Sequence, residues 1–228
     1  MKKGMIYCIG VGPGDPELLT LKAVQLIREA DVIAVPGKEP KESVAYRIAA
    51  GAVPEIMDKT LAAVPMPMTK DSAVLEKAHR EGAKQLEKYV DEGITVVYLT
   101  LGDPSVYCTF SYLQRYLEED GYGVEHVPGI TSFTAAAARL GIPLTEWDEP
   151  LRVLPAVHSG TEELQQKGTL VLMKSASRMK EVKDLLRNAG KDVSCVINCG
   201  MENEQICRSL DEIPDDAGYF SLLIAKDK

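Results

Sequence analysis

An apolar run at residues 95–101, TVVYLTL, constrains the fold of this chain more than any other stretch. Gly93 precedes the run, and Gly102-Asp103-Pro104 ends it. A run of this length between turn residues is typical of a parallel strand that is buried on both faces. Ligands of open α/β sheets bind just outside the carboxyl ends of such strands. The turn at 102–104 is therefore a candidate binding site, and an ordinary strand-to-helix turn is the alternative.

The residue types in this turn suit either interpretation. Gly102 allows backbone angles, or a close ligand approach, that a side chain would block. Asp103 can cap the turn or accept hydrogen bonds from a ligand. Apolar residues recur at helical spacing after the turn and predict a helix over residues 109–119.

The amino-terminal segment predicts a βαβ unit, with a strand at 5–9, a helix at 21–30 and a strand at 32–35. Such a unit has a right-handed crossover onto a parallel sheet. The glycine-rich turn after the first strand, GVGPGDP at 10–16, suggests a phosphate site. Its spacing excludes one, because Asp15 stands where the last glycine of G-x-G-x-x-G belongs and no Lys-Ser/Thr pair follows.

Further elements extend along the whole chain. An edge strand or an irregular run, interrupted by prolines, is expected at 64–71, followed by a helix to about residue 90 that Asp71 or Ser72 begins. The remaining predictions are strands at 124–127, 153–157, 169–173, 194–198 and 219–225, and helices at 133–140 and 177–189. The predicted fold class is α/β, with two α/β domains in series, residues 1–120 and 121–228.

Composition narrows the possible functions. A formal net charge of −8 argues against a general nucleic-acid surface. No apolar run reaches the length of about 18 residues that a membrane span needs, and no secretory leader is expected. The five cysteines fit reduced thiols in the cytoplasm better than a disulfide framework. Cys195, Cys199 and Cys207 lack the close pairs of a zinc site, so no protein-bound metal is expected.

Three motifs together resemble the tetrapyrrole (uroporphyrin-III/corrin) methylases. They are the GVGPGDPELLTLKA segment at 10–23, Gly102-Asp103-Pro104 after its strand, and PGITS at 128–132. The segments at 67–71 and 99–113 are similar to the subfamily that methylates C-20 of precorrin-2 or cobalt-factor II in cobalamin synthesis. Cys108 is a departure, because a small residue such as Gly or Ser is expected there.

The resemblance implies a homodimer in which S-adenosylmethionine binds in a cleft between the two domains, beside a tetrapyrrole substrate. By motif match, the residues expected to bind the cofactor are Pro13, Leu101, Gly102, Asp103, Val106, Tyr107, Thr131, Ser132, Met173, Gly200 and Ala225. This cofactor carries no phosphate, which suits a glycine-rich loop without lysine. Lys38, Lys41, Lys70 and Arg80 could pair with substrate carboxylates, and solvated surface charge is the alternative.

The implied reaction is attack by the C-20 carbon on the sulfonium methyl group, so no protein nucleophile is needed. Asp15, Tyr107 and Glu202 are open candidates for the proton acceptor, and the catalytic residue is not assigned. Three alternatives remain. The chain could methylate another corrin carbon, it could modify a translation factor or ribosomal RNA, or it could be a non-catalytic module that binds adenine nucleotides. The acidic charge balance counts against RNA.

Overall fold

Two β-sheets organise the chain in the computed structural model, which describes residues 4–155 and 160–228. The chain divides into two units, Met1–Thr131 and Ser132–Lys228. The predicted fold class, two α/β domains in series, is confirmed. The boundary lies later than the predicted one at 120/121, because the strand Val124–Val127 pairs with the first strand of the chain and so belongs to the first unit.

The first unit contains a parallel sheet with the order β3-β2-β4-β1-β5. Its strands are β1 (Ile6–Gly10), β2 (Val32–Pro36), β3 (Thr60–Val64), β4 (Val96–Thr100) and β5 (Val124–Val127). The apolar run at 95–101 forms β4, every residue of which is buried at the centre of the sheet. The predicted buried parallel strand is therefore confirmed.

Helices cover both faces of this sheet, as the βαβ prediction requires. They are α1 (Leu21–Glu29), α2 (Val44–Ala52), α3 (Ser72–Asp91) and α4 (Phe110–Glu119). Val97 and Leu99 of β4 pack in the core with α1 and α2. Val96 and Tyr98, which point the other way because side chains alternate along a strand, pack with α3 and α4.

The starts of two helices follow from local capping. The Thr20 hydroxyl accepts a hydrogen bond from the backbone N–H of Ala23 at 3.2 Å. Asp71 accepts from the N–H groups of Ala73 and Val74 at 3.0 and 3.3 Å, and so begins α3. Of the two expectations for residues 64–71, the irregular run is confirmed and the strand is wrong. The edge strand is β3, which ends at Val64, and the Pro-Met-Pro segment after it is irregular because proline cannot donate to a sheet.

The second unit contains a mixed sheet with the order β6-β7-β10-β8-β9. Among the residues that the structure describes in this unit, β6 and β7 pair in parallel and the other strand pairs are antiparallel. Its elements are α5 (Ser132–Leu140), β6 (Leu151–Pro155), α6 (Thr161–Leu164), β7 (Thr169–Met173), α7 (Met179–Asn188), β8 (Asp192–Ile197), β9 (Gln205–Cys207) and β10 (Ser221–Lys226). The sequence missed β9, which has only three residues.

Helices pack on both faces of the mixed sheet. Ala135, Ala136 and Ala137 of α5 lie against Val171 and Val196. The alanine run therefore serves close packing of a helix on a sheet. Helix α7 lies in the core on the other face. Residues 156 and 157 of the predicted strand at 153–157 fall outside the described part of the chain.

Across residues 4–155 and 160–228, no helix combines the length and apolar character that crossing a membrane requires. The same residues contain no group of three or more His, Cys, Asp or Glu side chains arranged to hold a metal ion.

Candidate functional site

The carboxyl ends of the five parallel strands place five loops of the first unit along one edge of its sheet. β1 and β4 are neighbours, but β1 leads to a helix on one face and β4 to a helix on the other. Ligands of open α/β sheets bind outside the strand ends at such a point. We call this region the loop edge. It is formed by residues 11–15, 37–43, 65–71, 101–109 and 128–131.

Two loops of the loop edge are joined by reciprocal backbone hydrogen bonds. The N–H of Gly12 donates to the carbonyl oxygen of Gly102 at 3.2 Å, and the N–H of Gly102 donates to that of Gly12 at 2.8 Å. The N–H of Val11 also donates to the carbonyl of Thr100 at 2.9 Å. The glycine-rich turn after β1 therefore binds the turn after β4.

A third loop packs against these two through glycines that tolerate no side chain. A Cβ atom on Gly129 would lie 2.2 Å from the carbonyl oxygen of Gly102, and one on Gly10 would lie 2.4 Å from the same atom. Both distances are far below van der Waals contact. Two of the motif glycines, Gly10 and Gly129, are therefore needed because three backbones meet here.

Gly102, in contrast, has free space where a side chain would lie. A Cβ on this residue would meet nothing within 4 Å, and its φ angle is +71°. The residue therefore needs glycine for its backbone conformation, while the space beside it is open. This open space at the centre of the loop edge is where a ligand can approach the backbone.

Asp103 fastens the loop after β4 to the loop after β5. One carboxylate oxygen accepts from the N–H of Gly129 at 3.0 Å, and the other accepts from the N–H of Ser105 at 2.8 Å and from the Ser105 hydroxyl. Burial raises the pKa of Asp103, but the hydrogen bonds from Ser105 and Gly129 outweigh it and leave that pKa below its usual value. Asp103 is thus a positioning residue in this structure, and its predicted hydrogen bond to the cofactor stays a prediction.

The other predicted residues of the first unit also lie in these loops. Tyr107 has a φ angle of +48°, which costs a non-glycine residue about 1–3 kcal/mol and is common at ligand sites. Leu101 and Val106 are half-buried, and Pro13 is buried. Asp15 accepts from the N–H of Glu17 at 2.9 Å and caps a short helix, which gives this proton-acceptor candidate a structural role.

In the second unit, the turns after β7 and β8 hold the predicted residues Met173 and Gly200. β7 and β8 are both antiparallel to β10, so their carboxyl ends lie at the same edge of this sheet. Lys174 and Asn198, which follow these strands, have φ angles of +58° and +53°. The structure therefore brings Met173 and Gly200 to one edge of the second sheet, with strained backbone beside each.

A half-buried carboxylate holds the turn at Gly200. Glu204 accepts from the N–H of Gly200 at 2.7 Å and forms an ion pair with Arg139 of α5 at 2.7 Å. Burial raises the pKa of Glu204, but the hydrogen bonds from Arg139 and Gly200 hold it below its usual value. No local sequence pattern indicates this pair, because the two residues are 65 positions apart.

The structure places other predicted residues elsewhere. Ala225 is fully buried within β10, opposite Leu170 and Val193, towards the end of the sheet away from Met173. Its predicted contact with the cofactor stays a prediction. Glu202 is exposed in the turn after β8.

Thr131 and Ser132 are half-buried, and they stand on either side of the unit boundary, where α5 begins. Both residues directly follow the loop that contains Gly129. Their contact with the cofactor stays a prediction.

Residues 5–214 match the family model described as Tetrapyrrole (Corrin/Porphyrin) Methylases. This chain belongs to the tetrapyrrole methylase family. It is 37% identical to a probable cobalt-precorrin-2 C(20)-methyltransferase of Methanocaldococcus jannaschii. The alignment covers 97% of this chain and 95% of that relative. It is also 32% identical to the cobalt-precorrin-2 C(20)-methyltransferase of Salmonella typhimurium. That alignment covers 97% of this chain and 95% of the relative.

The fold of this methylase is also that of solved structures. The uroporphyrin-III C-methyltransferase of Thermus thermophilus, complexed with S-adenosyl homocysteine, aligns with a TM-score of 0.72 and 26% identity. The alignment covers 98% of each chain. The co-substrate of the family is S-adenosylmethionine.

The loop edge of this methylase fits a ligand that carries positive charge and no phosphate. The three glycine-containing loops, residues 11–15, 101–107 and 128–131, include Asp15 and Asp103 but neither lysine nor arginine. A pyrophosphate would be repelled there, whereas the sulfonium and amino groups of S-adenosylmethionine would be attracted. The open backbone at Gly102 offers the polar contacts that orient such a ligand.

Three of the four basic residues predicted to meet substrate carboxylates lie at the loop edge. Lys38 and Lys41 stand in the loop after β2, and Lys70 stands in the loop after β3. All three are exposed. Arg80 does not belong with them, because it lies within α3 with its guanidinium 4.5 Å from the centre of the Tyr116 ring.

Proposed function

We propose that this methylase transfers the methyl group of S-adenosylmethionine to C-20 of precorrin-2 or cobalt-factor II in cobalamin synthesis. The observation that carries the proposal is full-length similarity to C(20)-methyltransferases, together with the three family motifs meeting at one loop edge. The segments at 67–71 and 99–113, which resemble the C-20 subfamily, supply two of the loops at that edge.

The proposed cofactor site joins two sets of residues. Leu101, Gly102, Val106 and Tyr107 belong to the loop edge of the first unit, while Met173 and Gly200 belong to the second unit. Binding of one cofactor molecule by both sets is part of the proposal. If substitutions in either set lower the affinity for S-adenosylmethionine, the proposal is supported. If substitutions in only one set lower that affinity, the proposal is contradicted.

Positioning is the main contribution of the protein to the reaction. S-adenosylmethionine, when bound, supplies the methyl carbon that the electron-rich C-20 attacks as the carbon–sulfur bond breaks. Holding the reacting atoms in line about 3 Å apart can supply roughly 7–11 kcal/mol of the barrier. The backbone at Gly102, fixed by its hydrogen bonds to Gly12, provides a rigid support for that alignment.

The loop edge also offers what a flat, multiply carboxylated macrocycle needs. Met68 is 98% exposed and Tyr107 is 46% exposed, so both present apolar surface. Lys38, Lys41 and Lys70 can pair with carboxylates around that surface. We assign Met68 and the three lysines to the substrate side of the site.

A labelling experiment tests the function. The full-length protein is incubated with S-adenosylmethionine carrying a ¹³C methyl group and with precorrin-2 or cobalt-factor II, and the product is mapped by NMR. Label at C-20 is expected. Label at another carbon would assign the enzyme to a different step of corrin methylation, and tight cofactor binding without label would indicate a regulatory module.

The homodimer implied by the family resemblance belongs to the same proposal. Sedimentation equilibrium of the purified protein should give twice the chain mass of 24.9 kDa. A species at the chain mass across the micromolar range would contradict it.

A further inference from the structure

A stacked pair of aromatic rings joins α3 and α4. The imidazole of His79 and the phenol ring of Tyr112 have their centres 4.9 Å apart and their planes within 7° of parallel. His79 is buried, with 8% of its surface exposed, whereas Tyr112 is 49% exposed. Tyr112 therefore covers the imidazole with one face of its ring and leaves other ring surface open to solvent. We call these two side chains the ring stack.

The ring stack is continuous with the loop edge. Tyr112 lies in the first turn of α4, directly after the loop-edge residues 101–109. His79 lies about two turns into α3, the helix that follows the loop-edge residues 65–71. The starts of these two helices therefore place the ring stack next to two loops of the loop edge. A broad ligand held at the loop edge can extend from these loops onto Tyr112.

Two arginines lie beside the ring stack, around the next ring along α4. Tyr116 is four residues after Tyr112, so the two tyrosines lie on the same side of this helix. The guanidinium carbon of Arg80 is 4.5 Å from the centre of the Tyr116 ring, and that of Arg115 is 5.6 Å from it. Both arginines are exposed. A guanidinium held over a ring keeps N–H donors free for a carboxylate, which it can bind through two parallel hydrogen bonds.

These two positive charges are not neutralised by acidic residues around them. Within residues 4–155 and 160–228, no ion pair joins Arg80 or Arg115 to a carboxylate. Glu81, the acidic residue next to Arg80, lies 3.9 Å from Lys77 instead. The chain as a whole carries a formal net charge of −8, so a polyanionic ligand needs a place where positive charge is concentrated. Arg80 and Arg115 provide such a place next to the ring stack.

The ring stack itself adds no charge at neutral pH. Burial, and after it the positive charge of Arg115, lower the pKa of His79 below its usual value. The imidazole is therefore neutral near pH 7. A neutral pair of rings with cations beside it suits a ligand that has a conjugated face and anionic groups at its rim.

We propose that the ring stack is a platform for the tetrapyrrole substrate, with the flat macrocycle lying on Tyr112 and carboxylates at its rim binding Arg80 and Arg115. This assignment rests on the proposed function, which makes the substrate a tetrapyrrole. Such a ligand combines a broad conjugated surface with several carboxylates. The platform offers an aromatic ring to the first and two guanidinium groups to the second. It binds and orients the substrate and takes no part in the methyl transfer.

Binding of a stable porphyrin tests the platform without turnover. Uroporphyrin III, which is flat and carries several carboxylates, is titrated into the full-length protein without S-adenosylmethionine, and its absorbance follows the bound fraction. Tyr112→Ala should weaken binding at least about tenfold, whereas Tyr112→Phe, which keeps the ring, should bind like wild type. Circular dichroism checks that each variant is folded. No binding by wild type, or equal binding by Tyr112→Ala, would overturn the proposal.

The arginines supply a second test that leaves the ring stack in place. Arg80→Gln and Arg115→Gln should each weaken porphyrin binding at least about fivefold, because each change removes a charge-assisted pair with a carboxylate. Arg187→Gln is the matched control, since it removes the same charge from α7 in the second unit. This control should bind like wild type. An equal loss in all three variants would assign the effect to net charge and overturn the platform.

Steady-state kinetics separate the platform from the proposed function. With precorrin-2 or cobalt-factor II, Tyr112→Ala should raise KM for the tetrapyrrole at least about fivefold and leave kcat unchanged, because it removes binding and not catalysis. Its affinity for S-adenosylmethionine should equal that of wild type. A lower kcat at unchanged KM would overturn the platform. If porphyrin binding depends on Tyr112 as expected but the labelling experiment puts no label on C-20, the platform is supported and the proposed function is contradicted.

Discussion

The two halves of the proposed cofactor site are held in place by different forces. In the first unit, the missing side chains of Gly10 and Gly129 let their backbones meet that of Gly102. In the second unit, the turn at Gly200 is held by a carboxylate, Glu204, that is itself paired with Arg139. The first arrangement depends on the absence of side chains, and the second depends on charge.

This difference predicts how each half should respond to substitutions and to pH. Close backbone contacts cannot adjust, so any added atom must displace a loop. A charged pair can be weakened gradually, by substitution or by pH. The following four experiments compare the two halves, from the largest expected effect to the smallest.

Gly129→Ala should destabilise the protein most, by about 3 kcal/mol, because its Cβ would meet backbone atoms that cannot move independently. Urea unfolding measures the change. Gly123→Ala is the matched control, since a Cβ there meets nothing within 4 Å and its backbone is not left-handed. That variant should stay within about 0.5 kcal/mol of wild type. Equal stability of the two variants would contradict the steric explanation.

Glu204→Ala should cost about 2 kcal/mol, because it removes hydrogen bonds to a charged group and leaves Arg139 without this partner. Asp211→Ala provides the comparison, since Asp211 pairs with Arg187 but its side chain is 89% exposed. An exposed ion pair contributes little, so that change should cost at most about 0.5 kcal/mol. If both substitutions cost the same, Glu204 does not hold the turn at Gly200.

Gly102→Ala should cost only about 1 kcal/mol, because the penalty comes from the left-handed backbone and not from a collision. Gly121→Ala is its control: Gly121 has a φ of +84°, has equally open space, and lies after α4, away from the loop edge. The two variants should lose similar stability, but only Gly102→Ala should lose affinity for S-adenosylmethionine in calorimetry. Equal affinities would remove Gly102 from the cofactor site.

The smallest expected effect is the change with pH in the contribution of Asp103 to the stability of the folded protein. Its pKa in the folded protein lies below the ordinary value of 3.8, so its stabilising contribution is present above that value and is lost as the pH falls through the folded pKa. Asp103→Asn should therefore be less stable than wild type at pH 6, and the difference should shrink towards pH 2. Urea unfolding at several pH values measures it, and a difference that grows in acid would contradict the hydrogen bonds assigned to Asp103.

Local patterns were sufficient for most of the secondary structure. The apolar run at 95–101 predicted β4, and Asp71 marked the start of α3, because burial on both faces and helix capping each depend on neighbouring residues. The irregular run that follows Val64, one of the two expectations for residues 64–71, also has a local cause, since proline prevents strand pairing there. The predicted domain boundary was wrong, because only the pairing with β1 shows that 124–127 belongs to the first sheet.

The sequence by itself determined the family, the α/β class and the three glycine-containing motifs, because these follow from the order and spacing of residues along the chain. Only the tertiary structure decided why those glycines are required, where Ala225 lies, and that Glu204 supports the turn at Gly200. Each of these facts depends on residues that are distant in sequence and meet in space. Distances between such residues are set by how strands pair and helices pack, which no local pattern records.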